Sequence, residues 1–128
     1  CIPEALRFLA GLLPGGIDAL RAHNHALVLD GRTAICRALS IEAPAPESMI
    51  GSLASIPLPK GPPGDPPLFL DPLQVRLFES ERIEVPVMGL DNPARRLLRI
   101  SAQAYNDRGE YARLAAVLPR LLGETSLA

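Results

Sequence analysis

The stretch from Arg95 to Asn106, RRLLRISAQAYN, places an arginine inside an apolar strand pattern. In the period-2 geometry of a strand, Leu98, Ile100 and Ala102 share one face and Arg99 lies on the other. The face of Arg99 also carries Leu97, Ser101 and Gln103. An arginine beside hydroxyl and amide groups on a rigid strand suits bidentate capture of a carboxylate or phosphate, because its donors form a fixed fork. The alternative is that Arg99 only covers the solvent side of a half-buried sheet.

Other residues that could do chemistry are few. His23 and His25 stand two apart, and on a helix they point about 200 degrees apart, so they cannot bind one metal ion together. Cys1 and Cys36 form neither a disulfide framework nor a metal-binding spacing, and Cys36 is interpreted as a small buried apolar residue. The sequence therefore predicts no metal site and no catalytic residue within this chain.

Composition excludes several function classes. The chain has 128 residues, of which 48% are hydrophobic, and a net charge of −1, so it can form one core but offers no basic surface for nucleic acid. No apolar run approaches the roughly 20 residues that span a bilayer, and no signal peptide opens the sequence. A soluble, cytoplasmic protein without membrane or nucleic-acid partners is expected.

The elements that must position Arg99 are separated by proline. The 14 prolines are about twice the usual share. The segment 43–46 separates a helical first third from the first strand, and the segment 57–67 predicts a long loop, because proline cannot continue a helix or a central strand.

The first third predicts helices. Residues 2–13 form a short apolar segment that ends at Pro14-Gly15-Gly16, and from Ile17 to Ala38 apolar residues recur at spacings of three and four. Asp30-Gly31 is a turn signal, so the residues alone allow either two helices or one here. In one long helix, Gly31 would permit close packing, and Asn24 would place a polar group on the buried side, where it needs a partner.

The second half predicts short strands alternating with helices. Residues 49–58 are the first strand, with Ile50 among its inward residues, and Asp71 before Pro72 predicts the start of a helix that runs to about residue 80. Residues 83–87 alternate as a half-buried strand. Pro86 places that strand at a sheet edge because it lacks a ladder donor.

The chain ends in a further strand and helix. The strand with Arg99 comes next. Asp107 and Glu110 then form a capping-box pattern, which predicts the start of a helix. The apolar stripe of that helix starts at Tyr111 and continues up to Gly123. We expect an α+β two-layer domain over residues 1–128. It would hold a short, mainly antiparallel three-stranded sheet covered by helices on one face.

Several blocks resemble one family in order and spacing. They are Pro3–Leu9, Pro14–Gly16, the helix around Asn24, Ala45–Ser52, Val85–Val87 and Leu98–Asn106. Together they resemble the C-terminal small domain of class V (fold type I) pyridoxal-phosphate-dependent aminotransferases, on the branch of isopenicillin N epimerase-like proteins. The resemblance covers essentially the whole chain. It implies one long N-terminal helix, with residues 1–40 packing on a large domain that has no counterpart in this sequence and residues 41–128 forming the α+β core.

The resemblance also implies roles for particular residues. Arg99 matches the arginine that binds the substrate α-carboxylate, and Ser101 and Gln103 on the same face would orient it. Replacing Arg96, on the opposite side of the strand, by alanine is expected to leave the catalytic efficiency of the full-length protein nearly unchanged. Such enzymes hold their cofactor as a Schiff base on a lysine. Lys60, the single lysine, stands in a Pro-rich loop and does not suit that role, so pyridoxal phosphate would bind in the large domain.

The expected function is the substrate-binding part of an enzyme acting on amino acids. An isopenicillin N epimerase-like amino-acid epimerase, an isomerase, is the leading hypothesis. An aminotransferase or carbon–sulfur lyase of the same family is the alternative, as is an autonomous non-catalytic interaction domain. The expected partners are the large domain, a substrate carboxylate and a second copy in a homodimer. The reaction type, the substrate and the fragment's oligomeric state are left open.

Overall fold

The structure is a computed structural model, and it describes residues 1–60, 70–91 and 95–125. Its elements follow the predicted order of helix, helix, strand, helix, strand, strand, helix. They are α1 (Ile2–Gly11), α2 (Gly16–Ala38), a 3-10 turn (Glu47–Met49), β1 (Leu53–Leu58), α3 (Pro72–Glu81), β2 (Val87–Asp91), β3 (Arg95–Ser101) and α4 (Arg108–Thr125). The predicted loop over 57–67 lies mostly outside the described residues.

The three strands form one antiparallel sheet with β3 in the centre and the order β1-β3-β2. On β3, Leu98 and Ile100 are almost completely buried while Arg99 between them is exposed. The buried face packs against α2 and α4 in a single apolar cluster that includes Val28, Ile35 and Leu118. The predicted α+β class, with a three-stranded antiparallel sheet covered by helices on one face, is confirmed.

Two strands begin later than predicted. Residues 47–49 form a 3-10 turn in which the amide of Met49 donates to the carbonyl oxygen of Pro46, so β1 starts at Leu53. β2 starts at Val87 because Pro86 has no amide to donate, although its carbonyl oxygen still accepts from the amide of Arg99 at 3.0 Å. β2 lies at the edge of the sheet, but it shares only Val87 with the strand predicted over residues 83–87, and Pro86 precedes it.

The helix α2 continues without a break through Asp30-Gly31. A Cβ atom at Gly31 would lie 2.7 Å from Cγ of Tyr111 on α4, so only glycine lets the two helices approach this closely. The buried residues Leu27, Val28 and Ile35 hold the helix against the core on both sides of this glycine. Tertiary packing therefore outweighs the local turn signal.

Capping residues lie where they were predicted. The carboxylate of Asp71 accepts from the amide of Leu73 at 2.8 Å and begins α3. At the start of α4, Asp107 Oδ1 accepts from the amide of Glu110, and Glu110 Oε2 accepts from the amide of Asp107. This reciprocal pair is a capping box, which satisfies amides that the first helical turn leaves unpaired.

Arg96 is a buried charged residue with several partners. Its Nη1 donates to both carboxylate oxygens of Asp71, at 3.0 and 3.1 Å, and its Nε donates to the carbonyl oxygen of Pro59 at 3.1 Å. Only 6% of the residue is exposed, because it shares the inward face of β3 with Leu98. One guanidinium thus connects the end of β1 to the start of α3, which gives Arg96 a part in holding the fold together, while its silence in catalytic efficiency stays a prediction.

The helix α1 is the least buried element. None of its residues is buried, and Ile2, Leu6 and Phe8 are each more than half exposed. Within the described ranges, no helix is both long and apolar enough to cross a bilayer.

We expect Gly31→Ala to destabilise the chain by about 1–3 kcal/mol, because the added methyl group overlaps the Tyr111 ring. Gly123→Ala is the matched control. A Cβ at that helical glycine meets nothing within 4 Å, and the change should stabilise by about 0.5–1 kcal/mol. Urea unfolding of both variants measures the difference, and equal effects would contradict the close approach of α2 and α4.

We expect Arg96→Ala to lower the free energy of unfolding by about 3–5 kcal/mol, because it leaves the Asp71 carboxylate without its buried partner. Arg99→Ala removes the same charge from the same strand at an exposed position and should stay within about 0.5 kcal/mol of the parent. Thermal and denaturant unfolding compare the two, and similar losses would refute the distinction between them.

Candidate carboxylate-binding site

Arg99 is held on the central strand of the sheet. It pairs across the sheet with Ser55 on β1, and its amide is bonded to Pro86 on the other side. The backbone of Arg99 is therefore fixed from both neighbouring segments. The predicted alternation is confirmed, since Leu98, Ile100 and Ala102 are buried while Arg99 and Ser101 are exposed.

Arg99 lines an open cleft of about 550 Å³. The cleft lies between the extended segment 82–86, the end of β3 and the first turn of α4, and it also contains Ser101 and Tyr105. Tyr105 is 83% exposed, so a large aromatic ring stands at this surface. Within the described part of the chain, the guanidinium of Arg99 makes no hydrogen bond or ion pair. Its donors are free to bind an anion.

Several other polar groups of the cleft are already engaged. Asp107 and Glu110 form the capping box of α4, and Arg113 donates to the carbonyl oxygen of Glu81. Arg82 and Glu84 also line the cleft, and neither has a side-chain partner among the described residues. The charged side chains of the cleft that make no hydrogen bond or ion pair among the described residues are thus Arg99, Arg82 and Glu84.

Gln103 lies outside the cleft. Its Oε1 accepts from Asn24 Nδ2 at 3.0 Å and from the amide of Ala104 at 2.8 Å, while its own amide donates to Asn106 Oδ1. β3 ends at Ser101, so the alternation that placed Gln103 beside Arg99 no longer applies two residues later. Gln103 instead is the partner that Asn24 was predicted to need, and it shapes the turn that leads to Tyr105.

Tyr111 belongs to the predicted apolar stripe of α4, and it also makes a polar contact. Its hydroxyl donates to the carbonyl oxygen of Ser101 at 2.5 Å, and its ring lies against Gly31 and lines the cleft. Burial raises the pKa of this hydroxyl, and repulsion from the Glu110 carboxylate and from the Tyr105 hydroxyl, where that is ionised, raises it further. Tyr111 therefore remains protonated at neutral pH and keeps donating to the strand that carries Arg99.

The histidines and the buried cysteine lie away from this cleft. His25 Nδ1 lies 3.3 Å from the carbonyl oxygen of Gly51, and no group of three metal-binding side chains occurs in the described ranges. Burial raises the pKa of the Cys36 thiol, although the nearby Arg32 charge opposes this effect. Cys36 is buried, as predicted.

The residues of this chain do not fit pyridoxal phosphate. Its Schiff base requires a lysine amine held at the site. Lys60 is exposed and follows the end of β1, and no lysine lines the cleft. Ser55 is the residue opposite Arg99 in the sheet, and Lys60 follows it by five positions. Five residues of extended chain span roughly 17 Å, so Lys60 lies about that far along the strand direction from Ser55.

Comparison with known proteins found a similar sequence. No protein-family model matches the chain. The chain is similar to a protein of Arabidopsis thaliana named probable L-cysteine desulfhydrase, chloroplastic, with 29% identity over 123 residues. The alignment covers 88% of this chain and 25% of the plant protein, so the chain spans about a quarter of that relative's length. The similarity supports the predicted relationship to pyridoxal-phosphate-dependent enzymes and gives no support to an epimerase in particular.

Proposed function

We propose that this chain is the substrate-binding small domain of a larger pyridoxal-phosphate-dependent enzyme that acts on amino acids. The observation that carries the proposal is the unpaired guanidinium of Arg99, which stands in a cleft on the central strand of the sheet. The hydrogen-bonded backbone of Arg99 gives its guanidinium a fixed origin, which favours bidentate carboxylate binding because that binding depends on orientation as well as charge.

The proposed role of Arg99 is to hold the α-carboxylate of the substrate. Its planar fork would fix that group at one point and so limit rotation of the amino acid about its α-carbon, which orients the bond that reacts. Ser101 lies two residues further on the same face and offers a hydroxyl to the same ligand. Tyr111 supports this arrangement by binding the Ser101 carbonyl oxygen. Gln103 has no direct place in this proposal, since two donors occupy its Oε1.

The cofactor would be held by a large domain outside this chain, where it supplies the electron sink for bond cleavage at the substrate α-carbon. The relative is about four times as long as the aligned part, which leaves room for such a domain. The exposed apolar side chains of α1 would pack on it, since apolar residues gathered on one helix favour contact with another surface. A homodimer and a cytoplasmic location stay predictions.

Carbon–sulfur bond cleavage is the reaction that the comparison favours. The relative is named a cysteine desulfhydrase, which supports the carbon–sulfur lyase alternative over epimerisation. We therefore propose a lyase acting on a sulfur-containing amino acid.

The second candidate function is an autonomous interaction domain, and the full reading frame distinguishes it from the enzyme. An upstream domain with a Schiff-base lysine supports the enzyme, whereas a start codon near Cys1 supports the interaction domain.

In the full-length protein, Arg99→Lys should lower kcat/KM by roughly 30- to 1000-fold, or about 2–4 kcal/mol, because it keeps the charge but loses the fork. Cofactor binding, followed by its absorbance, should not change. Arg37→Lys makes the same replacement at an exposed position at the end of α2 and should retain full activity. Unchanged kcat/KM in Arg99→Lys would reduce Arg99 to a covering role.

The chain alone should neither bind pyridoxal phosphate nor turn over amino acids, because its one lysine is exposed and remote from the cleft. Titration of the 128-residue chain with the cofactor should give no stoichiometric imine absorbance. An imine absorbance band that the Lys60→Ala variant lacks would contradict this prediction.

A further inference from the structure

Asn24 is a buried polar residue of α2 whose amide group is only half satisfied. Its neighbours on the buried side of the helix include Leu20, Leu27 and Val28, and only 6% of Asn24 is exposed. Its Nδ2 donates to Gln103 Oε1 at 3.0 Å, whereas its Oδ1 has no hydrogen-bond partner within the part of the chain that the structure describes. An unsatisfied buried acceptor costs more free energy than one neutral hydrogen bond typically returns. For stability alone, an apolar residue of the same shape would serve at least as well.

The orientation of this amide group follows from its partner. The backbone amide of Ala104 donates at 2.8 Å to the same Oε1 of Gln103, so the atom that accepts both bonds is an oxygen. Asn24 must then present its NH2 group to Gln103, which leaves its own oxygen without a described donor. The unpaired oxygen is thus a consequence of the bond to Gln103. That bond is what an apolar residue at this position could not supply.

Gln103 belongs to a turn that short-range hydrogen bonds hold in one shape. Its amide donates to Asn106 Oδ1 at 3.0 Å, and the amide of Asn106 donates back to the carbonyl oxygen of Gln103 at 2.9 Å. Asn106 Nδ2 also donates to Glu110 Oε2, the oxygen that accepts from the first amide of the α4 capping box. Asn24 reaches this network from the core, so its bond sets the position of the turn relative to α2.

The same turn forms part of the cleft that contains Arg99. Tyr105 stands in the turn, lines the cleft together with Arg99 and Ser101, and is 83% exposed. Among the described residues, its side chain makes no hydrogen bond, so its position depends on the backbone of the turn. An aromatic ring beside a guanidinium offers an apolar face to a ligand whose carboxylate the guanidinium holds.

We propose that Asn24 is a positioning residue of the cleft and that Tyr105 is the ligand-contacting residue that it positions. Through Gln103, Asn24 fixes the turn to the core, and the turn places the ring of Tyr105 against the apolar part of a substrate. The inference rests on the proposed function, because Arg99 is taken to hold the carboxylate of that substrate. It adds that a buried residue of α2, which does not line the cleft, controls substrate binding.

Hydrogen exchange in the full-length protein tests the contact between α2 and the turn. In Asn24→Leu, a peptide covering residues 102–107 should exchange about tenfold faster, because the turn has lost its bond to the helix. The unfolding midpoint should stay the same or rise, since the unpaired oxygen is also lost.

Arg32→Met is the matched control. Arg32 is also buried on α2 and also has an unpaired buried atom among the described residues, its Nε. Its contacts lead instead to Ala45 and Glu47, neither of which lines the cleft. This variant should therefore leave exchange over residues 102–107 unchanged.

The catalytic efficiency of the full-length protein, with L-cysteine as the probe substrate, tests the role of the turn in binding. Asn24→Leu should lower kcat/KM about tenfold, mainly through KM, with cofactor absorbance unchanged. Tyr105→Ala should lower it about tenfold or more. The double variant should lose no more than Tyr105→Ala alone, because the ring that Asn24 positions is then gone, whereas independent residues give losses that multiply.

Two replacements of Gln103 test the same contact without changing α2. Gln103→Glu keeps an oxygen for both the Asn24 and the Ala104 donors, whereas Gln103→Met keeps none. Gln103→Met should therefore match the loss in kcat/KM of Asn24→Leu, and Gln103→Glu should lose much less. Equal losses in the two replacements would refute the role of this contact.

The remaining outcomes distinguish the inference from the proposed function. Parental exchange over residues 102–107 in Asn24→Leu, an unchanged kcat/KM, or losses that multiply in the double variant would each overturn the inference. So would an equal loss in Arg32→Met, since that would indicate a general weakening of the fold. Wild-type kcat/KM in Arg99→Lys would instead overturn the proposed role of Arg99, and the comparison of Asn24 with Tyr105 would still hold.

Discussion

The close contact between Gly31 and Tyr111 is the constraint on which the rest of the structure depends. The absence of a side chain at Gly31 lets α4 approach α2, and the same tyrosine then reaches the carbonyl oxygen of Ser101. Two helices and the central strand therefore meet at one aromatic residue. Because Tyr111 also lines the cleft, the packing of the core sets the position of the cleft wall.

Two arginines of the same strand show how strongly position decides the role of a side chain. Arg96 points inward, where desolvation makes its pairing with Asp71 obligatory, and it holds the fold together. Arg99 points outward into a cleft, where its charge is solvated and needs no partner for stability. Residue type alone does not separate a buried, paired guanidinium from an exposed one, whereas strand parity does.

Features encoded by neighbouring residues were predictable. The Asp71 cap, the Asp107–Glu110 capping box and the outward face of Arg99 each depend on spacings of a few residues. Features encoded by distant pairs were not. The residues around Gly31 do not decide whether α2 is continuous, because the residue that Gly31 packs against, Tyr111, lies on α4. The ion pair between Arg96 and Asp71 is not predictable from local sequence either, because the N-cap role of Asp71 already accounts for that carboxylate.

The site was predictable in part for the same reason. Strand alternation locates Arg99 and Ser101 but does not predict where the strand ends. Gln103 lies two residues beyond the last residue of β3, so the alternation does not give the direction of its side chain, which is bonded to Asn24. The charges of segment 82–86 join the cleft only through the antiparallel pairing that brings Pro86 beside Arg99. That pairing cannot be obtained from local sequence.

The contacts of Arg96 also bear on how this protein can diverge. By binding both the carbonyl oxygen of Pro59 and the carboxylate of Asp71, one side chain sets the distance between the two ends of the segment that joins β1 to α3. The length of chain between those ends then adds only a slowly growing entropic cost. The contacts of Arg96 therefore hold β1 and α3 together whatever the number of residues that connects them in the sequence.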